Sequence, residues 1–284
     1  MSARNGVLGV AAFALLLAGT LTPNSAGAQG RCTRVRSLPA VLSDPGIYCL
    51  RGDLSTSAAA GAAISITADD VVLNLAGFTL DGSGAGAGTA AIGIQALERS
   101  NVTVRNGTVR GFESGVSLSG PGGGGHDVRR IRAEGNTRVG IRADGTSSSV
   151  RNCQVMNTGG AASGFPSVGI QSSGLGTRIL NNGISGLVPG IGDFLSVGIR
   201  VQSAAGGQVE DNTIAGAGDC ITNCAGIVVT GSSDVFVVDN RISTTFFGVS
   251  YEDDGTTGKF RDNLTSNVDD PYDPHGADDA GNND

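Results

Sequence analysis

The chain has 284 residues, with 26 acidic and 19 basic side chains and a formal charge of −7. This acidity argues against a broad nucleic-acid-binding surface, because affinity for phosphate backbones comes mostly from clustered cations. Glycine accounts for 47 residues, more than twice its usual share of roughly 7%. Glycine and proline together still fall below the level of low-complexity chains, so a packed core is expected.

The N-terminus has the pattern of an export signal. Arg4 precedes an apolar run from Val7 to Leu17, and small residues follow as far as Ala28. This arrangement is typical of a secretory signal peptide. The run is shorter than the roughly 20 residues that a membrane-spanning helix needs. We predict cleavage after Ala28, which removes residues 1–28, and a secreted or periplasmic protein without a membrane span.

Five cysteines follow the predicted signal peptide. In an oxidising compartment nearby cysteines tend to pair, and we therefore predict the disulfides Cys32–Cys49 and Cys220–Cys224. Cys153 is left over and is expected to be a small buried hydrophobic residue. The chain has only two histidines, whereas zinc sites favour paired Cys and His clusters, so no metal site is predicted.

A two-part repeat runs through most of the chain. The first anchor is a small or apolar residue followed by glycine and then isoleucine or valine. Its glycines, 22 to 29 residues apart, are Gly93, Gly115, Gly140, Gly169, Gly198, Gly226 and Gly248. A second anchor follows each first one by roughly ten residues, as in VRNCQV from Val150 and VEDNTI from Val209. Repeats of this length indicate a stacked architecture.

The composition of each repeat predicts one coil of a β-solenoid. Short runs rich in valine and isoleucine are separated by Gly, Asn, Ser and Asp, without sustained helical periodicity. Three short strands per coil, each stacked on its equivalent in the next coil, give parallel sheets. The sequence therefore predicts an all-β solenoid of about eight coils.

Asparagine recurs in the fourth place of the second anchor in four successive coils. The residues are Asn182, Asn212, Asn240 and Asn263. Asparagine tolerates left-handed backbone and bonds to nearby backbone groups. When stacked in register, such amides can form a ladder of hydrogen bonds. We predict that these four side chains hold turns and do not bind a ligand.

Two segments resemble bacterial right-handed parallel β-helix repeat proteins with a pectate-lyase-like fold. They are ITADDVVLNLAGFTLDG, residues 66–82, and NVTVRNGTV, residues 101–109. The likeness extends over about residues 46–265. It implies a right-handed parallel β-helix. The superfamily includes polysaccharide lyases, hydrolases, epimerases, phage tailspikes and adhesins, so the resemblance implies no single reaction.

Four segments follow from the repeat boundaries. After the signal peptide, residues 29–61 are predicted to form an N-terminal cap and first strand, and residues 62–265 the β-helix. Residues 266–284 contain six aspartates and few apolar side chains. Such composition is typical of a disordered acidic tail.

Alternation along the strands after the first anchor predicts which side chains face outward. In three central coils these side chains form a polar strip, consisting of Arg142, Asp144, Gln171, Ser173, Arg200 and Gln202. Arg142 and Arg200 would stand roughly 10 Å apart, two coil spacings, and arginine pairs well with carboxylates. The sequence therefore predicts an exported protein that binds extracellular or cell-wall polysaccharide along one face.

Two other functions stay open at this stage. One is an enzyme acting on uronate-containing glycans, for which the candidate catalytic residues are Arg142, Asp144, Arg200, Asp273 and His275. The last two belong to the string Tyr272-Asp273-Pro274-His275, which is similar to the Asp-Pro-His motif of alginate C5-epimerases. The other is a structural or adhesive surface rod.

A cofactor is not predicted. Lyase activity in the resembling superfamily would require a calcium-binding cluster of carboxylates. Only Asp144 lies in the centre of the polar strip, so calcium has no support from the sequence. The paired aspartates expected of the related hydrolases are not evident either.

Overall fold

The computed structural model describes residues 32–160, 166–188, 196–216 and 224–284. The described residues belong to one compact unit, Cys32–Asp284. The predicted signal peptide and Cys220 lie outside the described residues, so export and the second disulfide stay predictions.

Strands account for nearly all the regular structure of the described residues, which also include a short 3-10 helix, Ser83–Ala85. In chain order the strands are β1 (Thr33–Arg34), β2 (Ala40–Leu42), β3 (Gly46–Cys49), β4 (Leu54–Ser55), β5 (Ala60–Ile66), β6 (Val71–Asn74), β7 (Thr79–Asp81), β8 (Ala90–Leu97), β9 (Thr103–Arg110), β10 (Ser114–Ser119), β11 (Asp127–Glu134), β12 (Val139–Ala143), β13 (Ser149–Arg151), β14 (Gln154–Met156), β15 (Val168–Leu175), β16 (Arg178–Leu180), β17 (Gly183–Leu187), β18 (Ser196–Ala205), β19 (Gln208–Glu210), β20 (Thr213–Gly216), β21 (Cys224–Thr230), β22 (Val235–Val238), β23 (Arg241–Glu252), β24 (Gly258–Arg261), β25 (Leu264–Asp273) and β26 (Ala277–Asp279).

Parallel pairing between equivalent strands of successive coils arranges these strands in three stacks. Sheet A contains β2, β5, β8, β10, β12, β15, β18, β21 and the C-terminal parts of β23 and β25. Sheet B contains β1, β3, β6, β13, β16, β19, β22, β24, β26 and the N-terminal parts of β9 and β11. Sheet C contains β4, β7, β14, β17, β20, the C-terminal parts of β9 and β11, and the N-terminal parts of β23 and β25. The predicted all-β parallel β-helix is confirmed, with about nine coils.

The interior of the β-helix is built from rows of equivalent apolar side chains. On sheet A, one row is in register from Ile64 in β5 to Val249 in β23, and each member is at most 1% exposed. Its members are Ile64, Ile94, Val116, Ile141, Ile170, Ile199, Ile227 and Val249. From Ile94 onward these are the isoleucine and valine positions of the first anchor, so the repeat encodes the core directly.

The glycine of the first anchor is required by close approach between coils. A Cβ atom on Gly140 would lie 2.6 Å from the carbonyl oxygen of Gly169, and one on Gly169 would lie 2.6 Å from that of Gly198. Separations under 3 Å leave no room for a side chain. The glycines therefore recur because each coil rests against the backbone of the next at this position.

The predicted asparagine ladder is present and is buried. The amide oxygen of Asn212 accepts hydrogen bonds from both the backbone and the side-chain nitrogen of Asn182, each at 3.0 Å. Asn240 and Asn263 repeat this arrangement in the next coils. The ladder then continues to Asn283, whose side-chain oxygen accepts from the Asn263 amide at 3.1 Å.

At the other end of the ladder stands Cys153. Its backbone nitrogen donates to Asn182 at 2.9 Å, so this cysteine occupies the ladder position of its own coil. It is free and 1% exposed. Burial raises the pKa of the Cys153 thiol to about 12. The thiol therefore stays protonated and unreactive at neutral pH, in agreement with its expected role as a buried hydrophobic residue.

The acidic segment 266–284 differs from its prediction as a disordered tail. It forms most of β25 and all of β26, which pair with β23 and β24. Tyr272 stacks on Phe260 with ring centroids 5.4 Å apart, and its hydroxyl donates to the Asn263 carbonyl at 2.8 Å. The composition is misleading because the few inward-facing residues, Val268, Tyr272 and Ala277, pack against the core while the aspartates stand between them.

The N-terminal segment is built from strands. The sequence predicts an N-terminal cap and first strand over residues 29–61, and the structure forms β1 to β4 and the start of β5 in the described part of this segment, within the same three sheets. The predicted disulfide Cys32–Cys49 is present, with a Cα–Cα distance of 5.7 Å. It joins β3 to the residue that precedes β1. The bridge therefore fastens the first described strand to the β-helix.

The asparagine ladder makes a prediction about stability. Asn212→Ala removes the acceptor for two Asn182 groups and the donor to the Ile179 carbonyl, all of them buried. Each unsatisfied buried group costs about 1–3 kcal/mol, so we expect the free energy of unfolding to fall by about 3 kcal/mol or more. Urea denaturation followed by circular dichroism measures the change.

Thr213→Ala is the matched control, because Thr213 is the next residue and is exposed on sheet C. Its effect is expected to stay within about 0.5 kcal/mol. Equal effects of the two substitutions would show that the ladder contributes no special stability.

Candidate functional site

The structure brings the six residues of the predicted polar strip together on the outer side of sheet A. Arg142 is paired in register with Gln171, and Gln171 with Arg200. Two residues further along the same strands, in the next outward-facing row, Ser173 is paired with Gln202. The neutral Gln171 therefore separates two guanidinium-bearing coils, and the two arginine backbones lie roughly 10 Å apart at the spacing of parallel strands. This alternation lowers the repulsion between the two cations.

Arg142 and Asp144 form an ion pair at the centre of the strip. The Nε atom of Arg142 donates to Asp144 Oδ2 at 2.6 Å. The Asp144 side chain is only 6% exposed, whereas that of Arg142 is 41% exposed. The other carboxylate oxygen of Asp144, Oδ1, is buried without a hydrogen-bond partner. Asp144 thus fixes the orientation of Arg142 and leaves part of the guanidinium open to solvent.

Two surface grooves meet at Arg142. One has a volume of about 420 Å³ and lies over sheet A, with Arg142, Gln171, Arg200 and Gln202 among its lining residues. The other has a volume of about 1080 Å³ and follows the turns between sheets A and B, where Arg142, Asp144 and Ser173 reach it. The strip therefore borders a concave surface on both sides. The larger groove was not predicted, because its walls are glycine-rich turns whose path the alternation pattern does not specify.

Sheet A has a second group of charged side chains at its C-terminal end. Burial raises the pKa of the Glu252 carboxyl; the positive charge of Arg200 opposes this shift, and the negative charges of Asp253 and Asp273 add to it. Burial also lowers the pKa of the Arg200 guanidinium, which Glu252 partly offsets. Glu252 stands in the row that contains Gln202 and Thr230.

Asp273 and His275 belong to this second group. Asp273 is paired in register with Ser250, in the same outward row as Arg142 and Arg200. His275 Nε2 lies 3.6 Å from Asp273 Oδ1. The sequence assigned both residues to a disordered tail and missed Glu252 as their neighbour. Because β25 completes one more coil, the structure places Glu252 and Asp273 on the sheet that carries the polar strip, and His275 in the turn that follows β25.

An apolar residue interrupts the outward row between the two groups. Val228 is paired with Arg200 on one side and with Ser250 on the other. It is 1% exposed and belongs to a small apolar cluster with Val197, Ala225 and Phe247, separate from the main core. Val228 therefore separates Arg200 from Ser250 within this row, while Arg200 and Glu252 still interact electrostatically, so the polar strip and the C-terminal charged group are neighbours on one face.

The described residues contain no group of three or more His, Cys, Asp or Glu side chains arranged to hold a metal ion. Within these same parts of the chain, no helix has the length and apolar character needed to cross a bilayer. The polar side chains of the polar strip and of the C-terminal charged group are guanidinium, amide, hydroxyl and carboxylate groups, together with the imidazole of His275.

Residues 123–271 match the family model described as the right handed beta helix region. The chain belongs to this right-handed β-helix family. The match covers more than half of the sequence and includes both the polar strip and Glu252. Comparison with curated protein sequences found no similar protein.

Solved structures with a similar chain path include carbohydrate-active and phage proteins. The enzymatically active domain of tailspike protein 2 from bacteriophage CBA120 has a TM-score of 0.50 at 16% identity, over 84% of this chain and 38% of that one. The A-module of the Azotobacter vinelandii mannuronan C-5 epimerase AlgE4 gives 0.42 at 14% identity, over 85% of each chain. The catalytic domain of a GH87 alpha-1,3-glucanase in complex with nigerose gives 0.38 at 11% identity, over 88% of this chain and 62% of that one.

The chain thus spans well under half of the tailspike domain. At this level of identity, the similarity to the tailspike domain shows a shared fold and does not indicate that this chain has the same activity.

A buried histidine lies near the polar strip. His126 is 2% exposed, and its Nδ1 atom accepts a hydrogen bond from the Val102 backbone nitrogen at 3.4 Å. Burial lowers the pKa of this imidazole, and the carboxylates of Asp144 and Asp69 oppose the shift. The native contact requires an unprotonated Nδ1 atom. The structure therefore favours neutral His126.

This burial predicts a loss of stability in mild acid. Because the pKa of His126 is lower in the folded protein than the unfolded value of about 6.5, the unfolded chain binds the proton more readily. The free energy of unfolding should therefore decrease as the pH falls below about 6.5. His126→Asn, which keeps an acceptor near the Nδ1 position, should weaken this dependence in urea titrations at neutral and mildly acidic pH.

His275→Asn provides the control, because His275 is the other histidine of the chain and its side chain is 55% exposed. This variant should retain the pH dependence of the unmodified protein. A pH dependence that persists unchanged in His126→Asn would contradict the assignment.

Proposed function

We propose that this protein is exported and binds polysaccharide along the outer face of sheet A. The observation that carries the proposal is the polar strip between two grooves that share Arg142. A row of polar side chains along a β-helix offers contacts to successive sugars of an extended chain. The disulfide Cys32–Cys49 supports the exported location, because disulfides persist mainly in oxidising compartments.

The chemistry of the strip favours an acidic glycan. Arg142 and Arg200 present guanidinium groups, which form paired hydrogen bonds with carboxylates. Gln171 and Gln202 offer amide donors and acceptors suited to sugar hydroxyls. Two cations separated by a neutral coil match a polymer whose carboxylates face the protein on alternate sugars. The partner is therefore proposed to be a uronate-containing polysaccharide of the cell wall or extracellular matrix.

The double variant Arg142→Gln/Asp144→Asn tests this proposal without leaving a buried charge unpaired. It removes the ion pair, keeps the net charge and should weaken binding of oligogalacturonate or oligoalginate about tenfold, or about 1.4 kcal/mol. Isothermal titration calorimetry with a neutral glucan as comparison measures the effect. The variant Arg261→Gln/Asp262→Asn is the matched control, because it removes another ion pair, of 3.2 Å, from the last coils.

The result separates the remaining possibilities. Binding that weakens in the strip variant alone supports the polar strip as the recognition surface. Equal weakening in both variants would reject the strip as the site. Complete absence of glycan binding would favour a structural or adhesive rod.

A second candidate function is catalysis on uronate-containing glycans, supported by the group formed by Glu252, Asp273 and His275. The pKa of Glu252 is raised by burial, as befits a carboxyl group that donates a proton. Asp273 stands beside His275, and an imidazole in that place is suited to act as a general acid or base. Arg200 lies close enough to influence Glu252 and is suited to bind the uronate carboxylate.

This second function predicts turnover that depends on the C-terminal charged group. The purified protein should generate unsaturated ends, new reducing ends or changed uronate stereochemistry, followed by ultraviolet absorbance, reducing-sugar assay and NMR. Asp273→Asn and His275→Asn should each reduce the rate at least about a hundredfold, the usual contribution of a general acid or base. Asp278→Asn, in exposed β26, is the control. No turnover, or unchanged turnover in both variants, rejects this function.

A further inference from the structure

A concentration of arginines lies on sheet B and on its corner with sheet C, away from the polar strip. Arg105, Arg129 and Arg151 are paired in register in three successive coils. All three side chains occupy the same outward row, and their backbones are separated by the interstrand spacing of about 4.8 Å. Stacking three like charges at this distance is unfavourable unless an anion lies among them.

The protein supplies one carboxylate to this row. Asp127 forms ion pairs with Arg129 and with Arg151, the latter at 3.0 Å between Nε and Oδ1. One negative charge therefore serves two arginines. The Nε atom of Arg105, in the preceding coil, is buried without a hydrogen-bond partner. The row thus retains positive charge that the protein's own carboxylates do not balance, and one of its guanidinium donors has no partner within the described part of the protein.

A fourth arginine stands at the corner between sheets B and C in an unfavourable backbone conformation. Arg130 is exposed and has a φ of 51°. The equivalent residues of the coils before and after it are Asn106 and Asn152, which adopt the same conformation. Asparagine tolerates this region better than arginine. Amide stacking at this corner, present from Asn74 to Asn106 and from Asn152 to Asn181, is interrupted at Arg130. Such a residue at a strained position is a reason to look for a function.

Arg132 follows on sheet C and completes the group. It is exposed and is paired with Glu134 at 3.0 Å. Arg130 and Arg132 line a shallow cavity of about 290 Å³ together with Asn152 and Gln154. The corner therefore combines a depression with two guanidinium groups and two amides, a set of donors suited to an anionic ligand with hydroxyl groups.

The local charge is opposite to that of the whole chain. Five arginines, Arg105, Arg129, Arg130, Arg132 and Arg151, stand here against Asp127 and Glu134, which gives +3, whereas the chain carries −7. We propose that this basic surface, formed by Arg105, Arg129, Arg130, Arg132 and Arg151, binds a strand of acidic polysaccharide at a second site. The proposal uses no residue of sheet A and stands independently of the polar strip.

A polysaccharide fits this surface better than a nucleic acid does. The basic surface covers three coils, and the remainder of the chain has an excess of acidic residues. A dense polyanion extending beyond those coils would meet repulsion, while a uronan carries at most one charge per sugar and also offers hydroxyl groups. The coil spacing is similar to the length of one hexose, so successive sugars lie near successive arginines.

The double variant Arg130→Asn/Arg132→Gln tests the second site. Each substitution introduces the residue that the next coil carries at the same position, Asn152 or Gln154, so the fold should be retained. Thermal melting should show equal or higher stability, because asparagine relieves the strained corner. Binding of fluorescently labelled oligogalacturonate should weaken about tenfold, and the slope of affinity against salt should decrease. Arg34→Gln/Arg36→Gln removes two exposed charges from the first coil as control.

The two glycan sites are distinguished by combining variants. In Arg142→Gln/Asp144→Asn protein, residual oligogalacturonate binding should be lost when Arg130→Asn/Arg132→Gln is added. If the polar strip does not bind glycan, its variant has no effect and the corner variant alone weakens binding. Unchanged affinity in the corner variant, an equal loss in the first-coil control, or binding of single-stranded DNA without binding of the uronan would each overturn the proposal.

Discussion

The in-register stacking of coils at about 4.8 Å is the constraint on which this structure depends. Each residue lies beside its equivalent in the next coil, so a position tolerates only residue types that are compatible with copies of themselves. Inside sheet A this requirement selects isoleucine and valine, as in Ile141, Ile170 and Ile199. At the closest backbone approach it selects glycine, as at Gly169. In the buried corner it selects asparagine, whose amide both donates and accepts.

The same constraint shapes the charged surfaces. Identical charges in neighbouring coils repel, and the two arginine groups meet this difficulty in different ways. On the polar strip, neutral Gln171 separates Arg142 from Arg200. On sheet B, three arginines occupy adjacent coils with a single shared carboxylate. An acidic polymer is the kind of partner that both arrangements can accept, because it supplies spaced negative charges along an extended chain.

The candidate sites depend on the number of coils as well as on the residues. The last coil brings Asp273 to the outer face of sheet A, in line with Ser250, and places His275 in the turn beyond it, near Glu252. Without that coil nothing would bring Asp273 and His275 close to Glu252. Tyr272 and Asn283 hold the coil in place through the Phe260 ring and the asparagine ladder. The packing of the last coil therefore determines whether Asp273 and His275 lie close to Glu252.

The sequence by itself determined the solenoid, the inward rows, the asparagine ladder, the Cys32–Cys49 bridge and the composition of the polar strip. The sequence is sufficient for these features because stacking makes most of them repeat once per coil, and a repeat of that length can be recognised in the amino-acid sequence. It misjudged residues 266–284, where the repeat weakens and three partly buried side chains, Val268, Tyr272 and Ala277, are interspersed with aspartates. Only the tertiary structure decided the grooves, the Arg142–Asp144 pair, the neighbours of Glu252 and the strained Arg130 corner. These features depend on turn paths and on contacts between coils, which a periodic pattern does not encode.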